Sequence, residues 1–209
     1  MPLKLTTPPA QEPVSVEDFR ANSRLESASG DDEPLLQRLI TAARVRVENY
    51  CNRSLITQEW LLTLDAFPGA QTVGSQMIQA PYNLPDNAVL LERGPIQSVD
   101  QIAYTDMGSN SQVTDPSIYT AELSGDVGRI TPVFGQIWPI TLPQIGAVRI
   151  GFTAGYGDAA DMVPGPIIQA ILMLCEHLYG NRGVVAASSL KELPWGVAAL
   201  LDDYQVQLN

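Results

Sequence analysis

Histidine and cysteine are almost missing from this chain: His177 stands alone, and Cys51 and Cys175 are the only thiols in 209 residues. Two thiols make no disulfide framework. Each falls within an apolar helical pattern, which reads as a buried, reduced core residue. No Cys pair has ligand spacing and no HExxH occurs, so neither a metal nor a cofactor is expected. His177 rides mid-helix beside Glu176, the setting of a structural histidine rather than of a Ser–His–Asp base, which needs a cleft. Basic residues are scarce too, 12 Lys and Arg against 23 Asp and Glu, for a net charge of −11. Sequence-specific DNA binding clusters positive charge against phosphates, and this balance argues against it. No apolar run reaches membrane-spanning length, because the greasiest helical stretch is only about four turns long. Residues 1–13 carry four prolines and no apolar signal core, so the expectation is cytoplasmic synthesis and no membrane partner.

What is present is apolar and rich in turns. Hydrophobic residues make up 45% of the chain and charged ones 17%, with 16 Gly and 16 Pro. That describes a globular protein with a lightly charged surface and much strand and turn. The carboxylates Asp31, Asp32, Glu33, Asp158, Asp161, Asp202 and Asp203 fall on helix ends and loops, where capping or solvation accounts for them. No catalytic dyad can be read from their spacing, and the chain reads as non-enzymatic.

Residues 1–14 read as a Pro-rich extended arm. Ser15 and Asp18 have capping-box spacing and start a short helix through about Leu25. Asp31 to Pro34 open a second helix whose stripe is Leu35, Leu39, Ala43, Val47 and Tyr50, widened by Leu36 and Ile40. Arg38, Arg44, Arg46 and Arg53 lie mostly off that stripe and read as a solvated helix side with intrachain ion pairs rather than a nucleic-acid face. From Thr57 the period becomes two. Strands are expected from Thr57 and over 76–80, 87–92, 98–104, 117–122, 127–133 and 147–153. A glycine-rich joint, Phe152 to Asp158, leads to a helix opened at Pro166 and closed at Gly180–Asn181.

That helix puts Ile167, Ile171, Leu174 and Leu178 on one stripe and Ile168, Leu172, Cys175 and Tyr179 on the next. It must be buried by protein, its own or a neighbour's. The loop that follows, from Gly183 to Leu193, is rich in Val, Ala and Leu and should not lie bare in water. Pro194 opens a last helix with Val197, Leu200, Leu201 and Tyr204 on one side and Asp202 and Asp203 against its dipole. The expected fold class is α+β. A helical core from residues 15–56 and 159–209 carries an inserted antiparallel β domain, a small sandwich or barrel, over residues 57–158.

Several stretches, in this order and spacing, resemble the phage head–tail connector (head-completion adaptor) proteins and their relatives in gene transfer agents. They are Val47-Glu48-Asn49-Tyr50-Cys51-Asn52-Arg53, Thr57-Gln58-Glu59-Trp60, Leu91-Glu92-Arg93-Gly94-Pro95-Ile96-Gln97-Ser98-Val99 and Ile102-Ala103-Tyr104. Val148 to Gly157, Ala170 to Arg182, and Leu193-Pro194-Trp195-Gly196-Val197 with Leu200, Leu201 and Tyr204 complete the set. The resemblance implies a virion protein of the head–tail junction, made in the bacterial host cytoplasm. It would be one subunit of a ring of about a dozen copies under the capsid portal. Such a ring extends the channel for double-stranded DNA, which passes without specific binding. Its implied partners are the portal protein, a stopper or tail-completion protein, and further copies of itself. Leu190, Leu193, Pro194, Trp195, Val197, Leu201 and Tyr204 are the expected assembly or portal-docking surface. A different class of function, a carbohydrate- or receptor-binding module, would use Trp60, Tyr82, Tyr104, Tyr119 and Trp138 as aromatic platforms on the β domain.

Overall fold

In the computed structural model, the apolar residues of the helical segments pack on one another, and so do those of the strand segments. The description covers residues 3–23, 32–69, 85–180 and 193–206. Residues 1–8, 57–155 and 206–209 belong to a β unit, and residues 9–56 and 156–205 to a helical unit.

The helical unit contains α1 (Val16–Asn22), α2 (Glu33–Cys51), α3 (Gly165–Gly180) and α4 (Trp195–Leu201). The capping box forms as its spacing predicts: the Asp18 amide donates to Ser15 Oγ, and the Ser15 amide donates to Asp18 Oδ2, both at 3.0 Å. Two of the helix's free N–H groups are thereby satisfied. α2 ends where Asn52 adopts the left-handed conformation, φ 53°. The buried line of α2 is Leu36, Ile40, Ala43, Val47 and Cys51, one position round from the expected stripe. Arg44 and Glu48 are buried with it.

The sequence reading placed Arg44 and Arg53 on a solvated helix side with intrachain ion pairs; the ion pairs form at Arg44, but the side is not solvated at either residue. Both are buried instead, and for Arg44 the cause is a carboxylate clamp. Its Nε donates to Glu12 Oε2 and its Nη1 to Glu48 Oε2, each at 2.7 Å. Glu48 Oε1 also accepts from the Leu55 amide at 3.1 Å, and Glu12 Oε1 accepts from the Thr41 hydroxyl at 2.8 Å. A charge can be buried when its partners and hydrogen bonds come with it, and these do.

α3 finds its cover within its own unit. Ile167, Ala170, Ile171, Leu174 and Cys175 join one cluster with Phe19 of α1 and Leu36, Ile40 and Val47 of α2. Tyr179 meets Phe19 edge to face, centroids 5.9 Å apart. Both cysteines are free and fully buried. Burial pushes the Cys51 thiol up to about 11 and the Cys175 thiol up to about 12.

The β unit has two antiparallel sheets. Strands β1 (Leu3–Thr7), β2 (Gln58–Leu64), β3 (Val89–Leu91), β4 (Ile96–Thr105), β5 (Ser111–Val113), β6 (Tyr119–Glu122), β7 (Gly128–Pro132) and β8 (Val148–Ala154) follow in chain order. One sheet runs β1-β2-β8-β4-β5 and the other β3-β7-β6. Leu62, Ile102, Val148, Ile150 and Phe152 from the first share a core with Val89, Leu91 and Ile130 from the second. The α+β class read from the sequence is the class observed.

The amino-terminal arm is divided. Residues 3–7 form an edge strand, with Leu3 opposite Leu62 and Leu5 opposite Trp60, while Glu12 and Val14 join the helical unit. Pairing with β2 satisfies the inward row of the arm's backbone groups, which the short Leu-Lys-Leu alternation hardly advertises. β5 was likewise not expected, being three exposed residues. The expected strand at 76–80 lies outside the described residues.

Candidate assembly surfaces

Four of the seven residues expected to form a docking surface belong to α4 and the turn after it, and they divide sharply by exposure. Val197 and Leu201 are fully buried, and Leu193, Leu200 and Tyr204 pack partly buried against the same cluster. Pro194 is half-buried as the N-cap of α4. Trp195 alone stands out, 87% exposed at the first position of the helix. Leu190, with most of the apolar Gly183–Leu193 loop, lies outside the described residues. The inward residues must be corrected: Val197 and Leu201 close the core of their own unit, because the helical period turns them toward α2 and α3.

Polar contacts strap this end of the chain to α2. Arg53 Nε donates to the Tyr204 carbonyl at 2.6 Å, and Gln205 Nε2 donates to the Tyr50 carbonyl at 3.3 Å. The Tyr50 hydroxyl donates to Asp202 Oδ1 at 2.8 Å, and that bond, ahead of burial, raises the phenol above its ordinary value. Asp202 therefore sits against the dipole of α4 because a hydroxyl from another helix fixes it there. Its misfit with local preference was a tertiary signal.

A second surface went unread in the sequence. It is the β7–β8 connection, residues 133–147. Its base is pinned from several directions. The Trp138 indole donates to the Asn87 carbonyl at 2.7 Å, stacks on Phe67 at 4.6 Å and lies 6.3 Å from Tyr119. The Leu142 amide donates to the Thr105 carbonyl at 2.9 Å, the Thr105 amide to the Ala147 carbonyl at 2.8 Å, and the Gly146 amide to Asp65 Oδ1 at 2.8 Å. From this base Phe134 (107% exposed), Ile145 (92%), Ile137 (78%) and Ile140 (62%) extend into solvent.

Two further exposed residues come from segments meeting at Thr105. Met107 lies in the turn just after it, and Val113 ends β5, whose Ser111 pairs with Thr105. That turn is held by Asp106, whose carboxylate accepts from the Gly108 and Asn110 amides and from Gln112 Nε2. These bonds, the Asn110 amide foremost, hold the Asp106 carboxyl below its usual value.

No family model and no curated protein matches the chain. Solved structures do. A chain in "Neck of empty GTA particle computed with C6 symmetry" aligns over 100% of this chain and 98% of its own, with a TM-score of 0.75 and 23% identity. A chain in "Virion of native gene transfer agent (GTA) particle" gives the same coverage, TM-score and identity. One in "Neck of native GTA particle computed with C12 symmetry" gives the same coverage, a TM-score of 0.71 and 22% identity. The fold is that of a gene transfer agent neck subunit.

Within this neck-subunit fold, the stretches that carried the family resemblance prove to be structural joints. Arg93, at φ 72°, lays its guanidinium 5.3 Å over the Trp60 ring. Gln97 Nε2 donates to Thr57 Oγ1 and to the Gly155 carbonyl, both at 2.9 Å. The Gly155 amide donates to the Pro95 carbonyl, also at 2.9 Å. At Gly94 a side chain would run into the Asp126 carbonyl, so only glycine fits there.

The aromatic-platform reading fails on burial. Trp138 is 3% exposed, Tyr104 and Tyr119 pack on the β core, and Trp60 lies under Arg93. Tyr82 lies outside the described residues. His177 and Glu176 lie on the exposed side of α3. Among the described residues no three His, Cys, Asp or Glu side chains converge as metal ligands.

The bare β7–β8 loop did have a sequence signal. From Ile130 to Val148 there is no Asp, Glu, Lys, Arg or His. Nineteen uncharged residues with non-alternating Phe and Ile fit poorly on a water-facing surface.

Proposed function

We propose that this protein is a head–tail connector (adaptor) subunit of a phage-like particle. It assembles as a ring under the capsid portal, extends the DNA channel and gives the stopper or tail a platform. The observation that carries this reading is the end-to-end likeness to gene transfer agent neck chains, which spans both units and leaves no additional domain unaligned. The ring places equivalent surfaces around one axis, and copies meet head to tail.

The portal and neighbouring copies engage the carboxy-terminal segment, with Trp195 as the exposed anchor and the half-buried Leu193, Pro194 and Tyr204 in the same segment. Val197 and Leu201 support that surface from the core. A large aromatic side chain bare at a helix start is the kind of residue that dominates interface energetics. With part of the −11 net charge facing the channel, DNA phosphates would slide past without adhering.

The test is co-sedimentation of the full chain with the portal protein of the same particle, with negative-stain imaging of the product. Rings stacked on portal are expected for the wild-type chain, and loss of portal binding for Trp195→Ala with its fold intact. A wild-type chain that neither joins portal nor forms rings would remove the proposal.

A further inference from the structure

We infer that the β7–β8 loop is the docking site for a different protein of the particle, one that brings an uncharged apolar face. This rests on the connector reading and assigns it a second contact surface, separate from the carboxy-terminal one. Phe134, Ile137, Ile140 and Ile145 stand on a base locked by Trp138, Leu142 and Gly146, so the loop presents them in a fixed arrangement. A rigid display of apolar side chains binds without losing much conformational freedom.

Area supports an interface of full size. With Met107 and Val113, the exposed apolar area is on the order of 700 Å², close to the roughly 800 Å² each partner contributes to a standard stable interface.

Charge describes the occupant. No ionisable residue occurs from Ile130 to Val148 in a chain of net charge −11. A charged partner face would bury its charges against this loop with no opposite charge inside the loop to pair them. The partner's surface must therefore be uncharged as well.

Among the described residues a second copy of this chain offers no patch of that kind. Head-to-tail copies in a ring join two different surfaces, so a receiving apolar patch would be needed elsewhere on the chain. Among the described residues the other large exposed apolar side chains are Leu5, Val45, Met162 and Trp195, which lie on four separate elements. Loop-to-loop pairing of two copies would give a two-fold dimer, which does not close a ring. The occupant is therefore a neighbour along the particle axis, and the portal is already engaged by the other surface. That leaves the tail-side protein.

The experiment uses the full chain, alone and assembled on portal, with the purified portal and the purified tail-side (stopper) protein of the same particle as probes. The variants are Phe134→Ser/Ile137→Ser/Ile145→Ser together, and Ile145→Lys alone as the milder change. Both are expected to fold, by circular dichroism, and to bind portal as the wild type does. Both should bind the tail-side protein at least tenfold more weakly. Variants that bind the tail-side protein with wild-type affinity overturn the inference and leave the connector reading standing. Loop-dependent dimerisation of the wild-type chain in sedimentation also overturns it, in favour of a second copy. A wild-type chain that binds neither probe overturns the connector reading itself.

Discussion

The Trp138 indole lies flat against the Phe67 ring, centroids 4.6 Å apart and planes within 5° of parallel. This contact anchors the uncharged loop to the β core, and Trp138 is its only large aromatic that points inward. Trp138→Ala should cost about 3–5 kcal/mol, as large-to-small core changes do. Trp138→Phe should cost less, since it keeps a stacked ring and loses only the indole donor to the Asn87 carbonyl. Urea unfolding followed by near-ultraviolet circular dichroism reads both. An alanine variant within 1 kcal/mol of wild type, to set about the noise of such a measurement, would show that the stack does not anchor the loop.

The Arg44 clamp predicts an order of effects. Glu48→Ala removes a partner of a buried guanidinium and also orphans the Leu55 amide, so it should destabilise by about 3–5 kcal/mol. Glu12→Ala should cost less, because that carboxylate is more exposed and Glu48 still faces Arg44. Arg44→Met, which leaves two carboxylates without their cation, should rank near Glu48→Ala. Chemical denaturation of the three variants tests the ranking, and equal losses for Glu12→Ala and Glu48→Ala would contradict it.

Both thiols should be silent in the native protein. Cys51 and Cys175 are fully buried, with folded values of about 11 and about 12 against 9.0 for a free thiol. A thiol-reactive chromogen at pH 8 should label neither until denaturant is added, and then label both. The same shifts fix a sign for alkaline stability. A group whose folded value is raised contributes fully below its unfolded value and loses that contribution as pH rises toward the folded one. The urea midpoint should therefore fall between about pH 9 and 12, and Cys51→Ala/Cys175→Ala should flatten part of that fall.

The α1 cap gives the opposite pH sense. Hydrogen bonds from the Ser15 side chain and amide lower the Asp18 carboxyl below 3.8. Its contribution is present above the unfolded value and disappears as pH drops below 3.8 through the lower folded value. Ser15→Ala should cost about 1 kcal/mol at neutral pH and progressively less at acid pH. An acid-independent penalty in urea titrations would show that the cap carboxylate plays no part.

Trp195 and Val197 separate docking from folding two positions apart. Trp195→Ala should leave the thermal midpoint unchanged and abolish portal co-sedimentation. Val197→Ala should lower stability by about 1–3 kcal/mol while the fraction that stays folded still binds portal. If the two variants behave alike in both measurements, the exposed indole is not the anchor.

Much of the architecture could be read in advance because it follows from local rules. The Ser15–Asp18 box, the Asn52 stop, the helical stripe of α3 and the alternation of Val148, Ile150 and Phe152 around Arg149 all reflect the geometry of a single element. The places where reading failed are those where a partner far along the chain decides. Leu3 to Thr7 are an edge strand only because β2 is there to pair them. Arg44 is buried only because Glu12, 32 residues away, comes to meet it. The docking surface was assigned to the greasiest residues, and packing turned two of them, Val197 and Leu201, inward.

By itself the sequence determined the kinds of element, the α+β class, the neutral and inert thiols, and the scarcity of positive charge, because these depend on period, composition and nearest neighbours. Only the tertiary structure decided which apolar residues are left over. Burial is a property of what packs against a side chain, and Phe134, Ile137, Ile140 and Ile145 are exposed because both sheets had filled their core without them.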